Sequence, residues 1–166
     1  MPTGEPAHKA IEHDPGTEER RLMAELAAWG AEWLDTSHLE LDRPGPTYTV
    51  DTLRQLQSEP AGDEVVWILG ADQAMTLPEW REPEEVLRLA RVAVARRDGI
   101  GEGELRQVLS GLEGGEGVTT FEMPSIDVSS TMVRERIAAR QPFGFLVPER
   151  VAQHIAEQGL YRGGGG

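Results

Sequence analysis

Val65-Val66-Trp67-Ile68-Leu69-Gly70-Ala71-Asp72 is the stretch on which the fold turns. Five apolar residues in unbroken succession, closed by a glycine, read as a strand buried on both faces, because a strand covered on one face alone alternates apolar with polar. Downstream, a helix is predicted over Pro83 to Ala90 and a second buried strand at Val92-Ala93-Val94-Ala95. A glycine-rich turn, a helix near Glu104 to Leu112 and a strand over Val118 to Met123 follow. Ser130 to Ala139 reads as a capped helix, and Pro148 at the first helical position opens a last helix that Gly159 stops. Upstream, Thr49 reads as the cap of a helix with Val50, Leu53 and Leu56 on one face, and Arg43-Pro44-Gly45-Pro46 breaks the chain before it. Trp33 to Leu41 holds a short apolar/polar alternation and is expected as a strand. Thr17, followed by Glu18 and Glu19, is expected to cap a helix whose buried stripe is Leu22, Met23, Leu26 and Trp29 or Trp33. Residues 1 to 16, rich in Pro, Gly and His, are expected as a loop. Strands alternating with helices imply an α/β fold with a parallel sheet, whose ligands sit beyond the carboxyl ends of the strands. Gly70-Ala71-Asp72, Arg96-Arg97 and Ser129-Ser130-Thr131 each follow a strand and are expected to face one crevice.

The chain has 166 residues, 39% of them hydrophobic, enough for one domain over residues 1–162 with Gly163 to Gly166 as a flexible tail. It contains no cysteine, no apolar run of membrane-spanning length and no basic-then-apolar leader, so disulfides, membrane insertion and secretion are not indicated and a cytoplasmic protein is expected. A net charge of −13 argues against a nucleic-acid partner, whose backbone is bound by clustered Lys and Arg. A small anion is a different matter, since a few convergent N–H groups and a cation override a remote field locally. Lys9 is the single lysine; arginine carries the remaining positive charge, which suits forked contacts to phosphate or carboxylate and equally reflects compositional bias.

Ile126-Asp127-Val128-Ser129-Ser130-Thr131-Met132-Val133-Arg134 outlines a phosphate site. Ser129 or Ser130 can cap the helix, the free amides of its first turn point outward, and the helix dipole adds positive charge there. Helical side chains lean toward the N-terminus, so the Arg134 guanidinium is placed to fork onto the same anion. An ordinary capped amphipathic helix, with Met132, Val133 and Ile137 facing a core, explains this segment equally well.

Taken in order, several segments closely resemble bacterial nicotinate-nucleotide adenylyltransferases, which are nucleotidyltransferases. They are Pro2-Thr3-Gly4-Glu5-Pro6-Ala7-His8-Lys9, the run from Arg43 through Tyr48-Thr49-Val50-Asp51 to Leu53, Ile68-Leu69-Gly70-Ala71-Asp72, Leu77-Pro78-Glu79-Trp80, Ser129-Ser130-Thr131-x-x-Arg134 and Gly159-Leu160-Tyr161-Arg162. The series covers nearly the whole chain. The resemblance implies a Rossmann-like, doubly wound parallel sheet of order 3-2-1-4-5. It also implies an enzyme of NAD biosynthesis that joins nicotinate mononucleotide to the AMP part of ATP, giving deamido-NAD and pyrophosphate, with Mg²⁺ accompanying the ATP. For the pyridine substrate it implies stacking on Trp80, a carboxylate held at Thr49 beside Tyr48, and phosphate contacts from His8 and Lys9. For ATP it implies Gly70 and Asp72 at the ribose, Arg97 near the nucleotide, and Ser129, Ser130 and Thr131 as binding groups. Arg134 and Lys9 are the implied catalytic cations, and no residue is assigned to a metal. Each position also has a plain reading: Trp80 as partial core, Thr49 as a cap, Asp72 as a loop aspartate satisfied by its own backbone, His8 and Lys9 as terminal loop residues, and Arg97 as a solvated strand-end charge.

Phosphoryl-group transfer of this kind depends on alignment and charge stabilisation, so the serines are expected to bind rather than attack. No Gly-x-Ser-x-Gly elbow is present. One departure stands out. The family opens with a strand, a glycine turn and a segment Gly-x-Phe-Asp-Pro-x-His-x-Gly-His whose histidines face the ATP phosphates, and residues 1–166 contain none of it. The chain is therefore expected to begin one strand-helix-strand unit late, through an internal valine codon read as the start or a choice of boundary. That leaves the sheet incomplete at its N-terminus, strips a pairing partner from the Val65 to Leu69 strand, and implies weak or absent activity with poor stability. A non-catalytic nucleotide-binding remnant and an enzyme resembling pantetheine-phosphate adenylyltransferase are the alternatives. Trp80 and Tyr48 to Asp51 favour the pyridine nucleotide over the latter.

Overall fold

The computed structural model describes residues 1–6, 14–58, 64–96 and 100–162. His8, Lys9, Arg97 and the glycine tail lie outside them. The chain divides into two compact units, Tyr48–Ile126 and Met1–Thr47 with Asp127–Gly166. No helix among the described residues is long and apolar enough to cross a membrane.

In the unit Tyr48–Ile126, three strands run in parallel in the order β3 (Val66–Gly70), β4 (Arg91–Arg96) and β5 (Thr119–Glu122). Helices α2 (Thr49–Gln57), α3 (Ala71–Met75), α4 (Pro83–Leu89) and α5 (Glu102–Leu109) alternate with them, as a parallel α/β sheet requires. The register sets Trp67 beside Val92 and Leu69 beside Val94, so these four side chains share one face. That face is the core: Leu69, Val92 and Val94 cluster with Val50 and Leu53 of α2, Leu77, Val86 of α4, and Leu105 and Leu109 of α5. The opposite face is open, with Val66 49%, Ile68 65% and Phe121 41% exposed. The expectation of a strand buried on both faces is thus corrected for β3. All four helices of this unit pack against a single face, and β3 pairs with β4 alone, so it is an edge strand among the described residues.

The other unit is helical apart from a short parallel pair, β1 (Glu5–Pro6) with β2 (Pro46–Thr47), where residues 1 to 16 were expected to be loop throughout. Gly4 is required just ahead of that pair. A side chain there would run into the Glu40 carbonyl and lie 2.8 Å from Thr47 Oγ1. Helices α1 (Thr17–Ala28), α6 (Ser130–Ala138) and α7 (Glu149–Gln158) bury Val133, Ile137, Val151 and Ile155 with Met23, Leu26, Leu146 and Tyr161 packed around them. Arg20 ties the N-terminal segment to α1: its guanidinium donates to the carbonyls of Thr3 and Gly4 and to Asp14. His154 and Glu19 join α7 to α1 at 2.5 Å. Gly159 ends α7 in the left-handed conformation, φ 63°, as expected of a glycine stop.

Several local readings are overturned. Gly16, not Thr17, is the N-cap of α1, and the Asp14 carboxylate accepts its amide instead. Leu22, Trp29 (67% exposed) and Trp33 (85% exposed) leave the expected stripe, because the partners of α1 meet only its Met23 and Leu26 side. Trp33 to Leu41 is irregular chain ending in a turn rather than a strand, and it pairs with no strand among the described residues. Pro148 is the N-cap of α7 rather than its first residue, and α5 runs two residues ahead of its expected start.

Candidate active site

Tyr48 and Thr49 sit where the chain enters α2. Tyr48 is the N-cap and Thr49 the first helical residue, so Thr49 is not the cap its hydroxyl suggested. The amides of Asp51 and Thr52 both donate to the Tyr48 carbonyl, whereas those of Thr49 and Val50 have no backbone acceptor among the described residues. The start of this helix therefore presents donors and the positive end of a dipole.

Trp80 follows a 3-10 turn, Leu77–Glu79, in which Pro78 supplies the fixed φ and Leu77 the fully buried anchor. The Trp80 amide donates to Leu77 O at 3.0 Å, and its indole Nε1 donates to Thr76 Oγ1 at 3.1 Å. One edge of the ring is pinned and the rest is half-buried against the same core that Tyr48 packs on. Arg81, the next residue, holds its guanidinium 4.8 Å above the Tyr48 ring centroid, so the Trp80 turn and the start of α2 are neighbours. Around them lies a knot of charge: Arg54 bonds Glu82 at 2.6 Å and approaches Asp51 at 3.5 Å and Glu85 at 3.8 Å, while Arg88 bonds Glu85 at 2.6 Å. The hydrogen bond from Arg54 holds the Glu82 carboxyl below the usual carboxylate range, and that from Arg88 does the same for Glu85.

Gly70 closes β3 and is the N-cap of α3, which places Asp72 in a short helix instead of the expected loop. A side chain on Gly70 would come within 2.5 Å of Asp72 Oδ1, so the carboxylate folds back over the strand end and glycine makes room for it. Asp72 is exposed and its carboxylate bonds to nothing among the described residues, which overturns the reading of a loop aspartate satisfied by its own backbone.

In the other unit, the open choice of cap for α6 resolves to Ser129, whose Oγ accepts from the Met132 amide at 3.1 Å. Ser130 and Thr131 occupy the first turn, both exposed. Arg134 points back along the helix as expected and donates from Nη2 to Thr131 Oγ1 at 3.1 Å. Tyr161 lies near it: burial pushes the Tyr161 phenol above its ordinary value of 10.0, and the Arg134 charge partly offsets this. Among the described residues no group of three His, Cys, Asp or Glu side chains is placed to hold a metal ion.

Within the unit Tyr48–Ile126 the structure thus brings Tyr48, Thr49 and Trp80 together, and at the start of α6 it gathers Ser129, Ser130, Thr131 and Arg134. Arg81 was not foreseen. Its one sequence signal is adjacency to Trp80, and only the packing of α2 against the turn reveals its place over Tyr48.

The profile of the cytidylyltransferase-like family matches residues 1–136. A protein of Arthrobacter sp. (strain FB24) named "Probable nicotinate-nucleotide adenylyltransferase" is 37% identical over 163 residues, 98% of this chain and 76% of that protein. A protein of the same name from Dehalococcoides mccartyi is 38% identical over 165 residues, covering 97% of this chain and 80% of its own length. Among solved structures, Plasmodium falciparum nicotinic acid mononucleotide adenylyltransferase complexed with NaAD superposes with a TM-score of 0.64 over 95% of this chain and 78% of that one. At 15% identity that likeness speaks for the nucleotidyltransferase fold alone.

Proposed function

Because the chain belongs to the cytidylyltransferase-like family, on its nicotinate-nucleotide adenylyltransferase branch, we propose that it transfers the AMP part of ATP to nicotinate mononucleotide, giving deamido-NAD and pyrophosphate. One observation supports this above the others: an indole pinned by its edge at Trp80 stands beside a helix start, Tyr48-Thr49, where the Thr49 and Val50 amides have no backbone acceptor among the described residues. A flat apolar ring next to anion-seeking donors matches a pyridine that bears a carboxylate. Asp72, at a strand end and with a carboxylate that has no partner among the described residues, is suited to accept from ribose hydroxyls. Ser130 and Thr131 at the first turn of α6, with the Arg134 guanidinium beside them, suit the ATP phosphates. His8, Lys9 and Arg97 keep the phosphate-side roles that the sequence resemblance implies.

In the reaction an oxygen of the mononucleotide phosphate attacks the α-phosphorus of ATP, a new P–O–P bond forms, and the bond to the β-phosphate oxygen breaks to release pyrophosphate. No protein nucleophile is needed. The work is to align two anions and to neutralise the leaving group, for which Arg134 supplies charge that cannot be titrated away. Mg²⁺ is assigned to the ATP itself, since magnesium is ordinarily held by substrate phosphates and one or two carboxylates rather than by a protein cage. A cytoplasmic location belongs to the same proposal.

The proposal is tested on the polypeptide of residues 1–166. The test is to incubate it with ATP, Mg²⁺ and nicotinate mononucleotide and to measure deamido-NAD and pyrophosphate, with binding followed by calorimetry. Trp80→Ala is expected to weaken mononucleotide binding by about tenfold, the loss of one aromatic stacking partner. Undiminished binding by that variant refutes the assigned site. Binding of both substrates with no product at any enzyme concentration favours a non-catalytic nucleotide-binding protein.

A further inference from the structure

We propose that the Arg81 side chain reads the carboxylate of the pyridine ring and makes this protein select the acid mononucleotide over the amide; the inference rests on the assignment of Tyr48, Thr49 and Trp80 to the pyridine. Three observations lead there. First, Arg81 is next in sequence to the stacking candidate Trp80 and hangs 4.8 Å over the ring of Tyr48, the residue preceding Thr49, so its guanidinium lies at the start of α2, beside the residues assigned to the pyridine and its carboxylate.

Second, its donors are largely unspent. Arg81 reaches Asp51 and Glu82 only at 3.7 Å each, beyond hydrogen-bond length, and makes no hydrogen bond among the described residues. Its neighbour Arg54 is the opposite case, bonding Glu82 at 2.6 Å and 3.3 Å. Both carboxylates that Arg81 faces are shared with Arg54, and the Arg54 bond holds the Glu82 carboxyl low. Arg81 is therefore the guanidinium of this cluster with a fork to offer.

Third, the group of ion pairs is neutral once Arg81 is counted in it. Arg54, Arg81 and Arg88 balance Asp51, Glu82 and Glu85 within the same group of ion pairs. A carboxylate and a guanidinium meet through two parallel N–H···O bonds, whereas a carboxamide offers one acceptor and sets its NH₂ against the cation. Arginine at this point thus distinguishes two ligands of nearly the same shape. The unspent Thr49 amide adds a donor but discriminates less, since a neutral carbonyl also accepts from it.

The experiment compares nicotinate mononucleotide with nicotinamide mononucleotide by titration calorimetry on residues 1–166 and on the Arg81→Gln, Arg81→Lys and Trp80→Ala proteins. The unaltered protein is expected to prefer the acid. Arg81→Gln is expected to weaken the acid by about tenfold to a hundredfold, the range for a hydrogen-bonded charge, and the amide by about twofold or less. Arg81→Lys, a point charge without the fork, is expected to recover part of the preference. Trp80→Ala is expected to weaken both ligands alike. If Arg81→Gln weakens acid and amide equally, Arg81 merely supports Tyr48 and the proposal fails. Equal affinities in the unaltered protein sink the proposal while leaving the pyridine site standing. Binding of neither mononucleotide overturns the site assignment itself.

Discussion

Substituting Ser129 in two ways separates the two jobs assigned to the start of α6. Its Oγ accepts the Met132 amide at 3.1 Å on an exposed helix end. Ser129→Ala removes that bond, at a cost of about 0.5–2 kcal/mol and typically near 1. For a chain of this length, about 1 kcal/mol lowers the melting midpoint by roughly 2–4 °C. Aspartate caps as well as serine, and its charge suits the positive end of the helix dipole, so Ser129→Asp is expected to melt at the wild-type midpoint or slightly above. The same carboxylate would stand where the ATP phosphates are proposed to bind. At about 5 Å, two unit charges repel by about 1–3 kcal/mol as the effective dielectric goes from 80 to 20, which weakens ATP about fivefold to a few hundredfold. The assay is a thermal melt followed by circular dichroism together with ATP titration by calorimetry, repeated at high salt, where the repulsion shrinks. Wild-type ATP affinity in the Ser129→Asp protein refutes a phosphate site at α6. An unchanged midpoint in Ser129→Ala refutes the cap as a source of stability.

Leu53 is fully buried between α2 and the sheet, so Leu53→Ala is expected to destabilise the fold by about 2–5 kcal/mol, read as a lower urea midpoint; a loss under about 1 kcal/mol would contradict the core described for that unit. Tyr161 predicts an alkaline weakness. Burial raises its phenol above 10.0, so the folded chain keeps the proton longer than the unfolded one, and stability falls as pH climbs from 10 through the folded value. Tyr161→Phe cannot ionise and is expected to lose less stability than the unaltered protein between about pH 9 and about pH 11; identical slopes would show that the buried phenol is not the cause.

Much of the candidate site was legible because its signals are local. Ser129 can cap only the residues that follow it, Arg134 leans toward its own helix start, and Gly70 closes β3 two residues before Asp72, for whose carboxylate it leaves room. The expected caps at Thr17 and Thr49 failed because a threonine hydroxyl is only one way to meet the first amides of a helix. Asp14 does it for α1 by accepting from Gly16, and the Tyr48 carbonyl does it in α2.

The sequence by itself determined the α/β class, the order of helices and strands in Tyr48–Ile126 apart from the short α3, the buried stripe of Val50 and Leu53, and the glycine stop of α7. Only the tertiary structure decided which faces are covered. Val66 and Ile68 are as apolar as Leu69, yet they stand exposed because every helix of their unit packs on the other side of β3. The pairing of Glu5 with Pro46, the clearance over Gly4 and the seat of Arg81 on Tyr48 likewise depend on residues far away in the chain. Periodicity states what a side chain is able to bury; whether anything arrives to bury it is settled by distant partners, whose arrival no local pattern encodes.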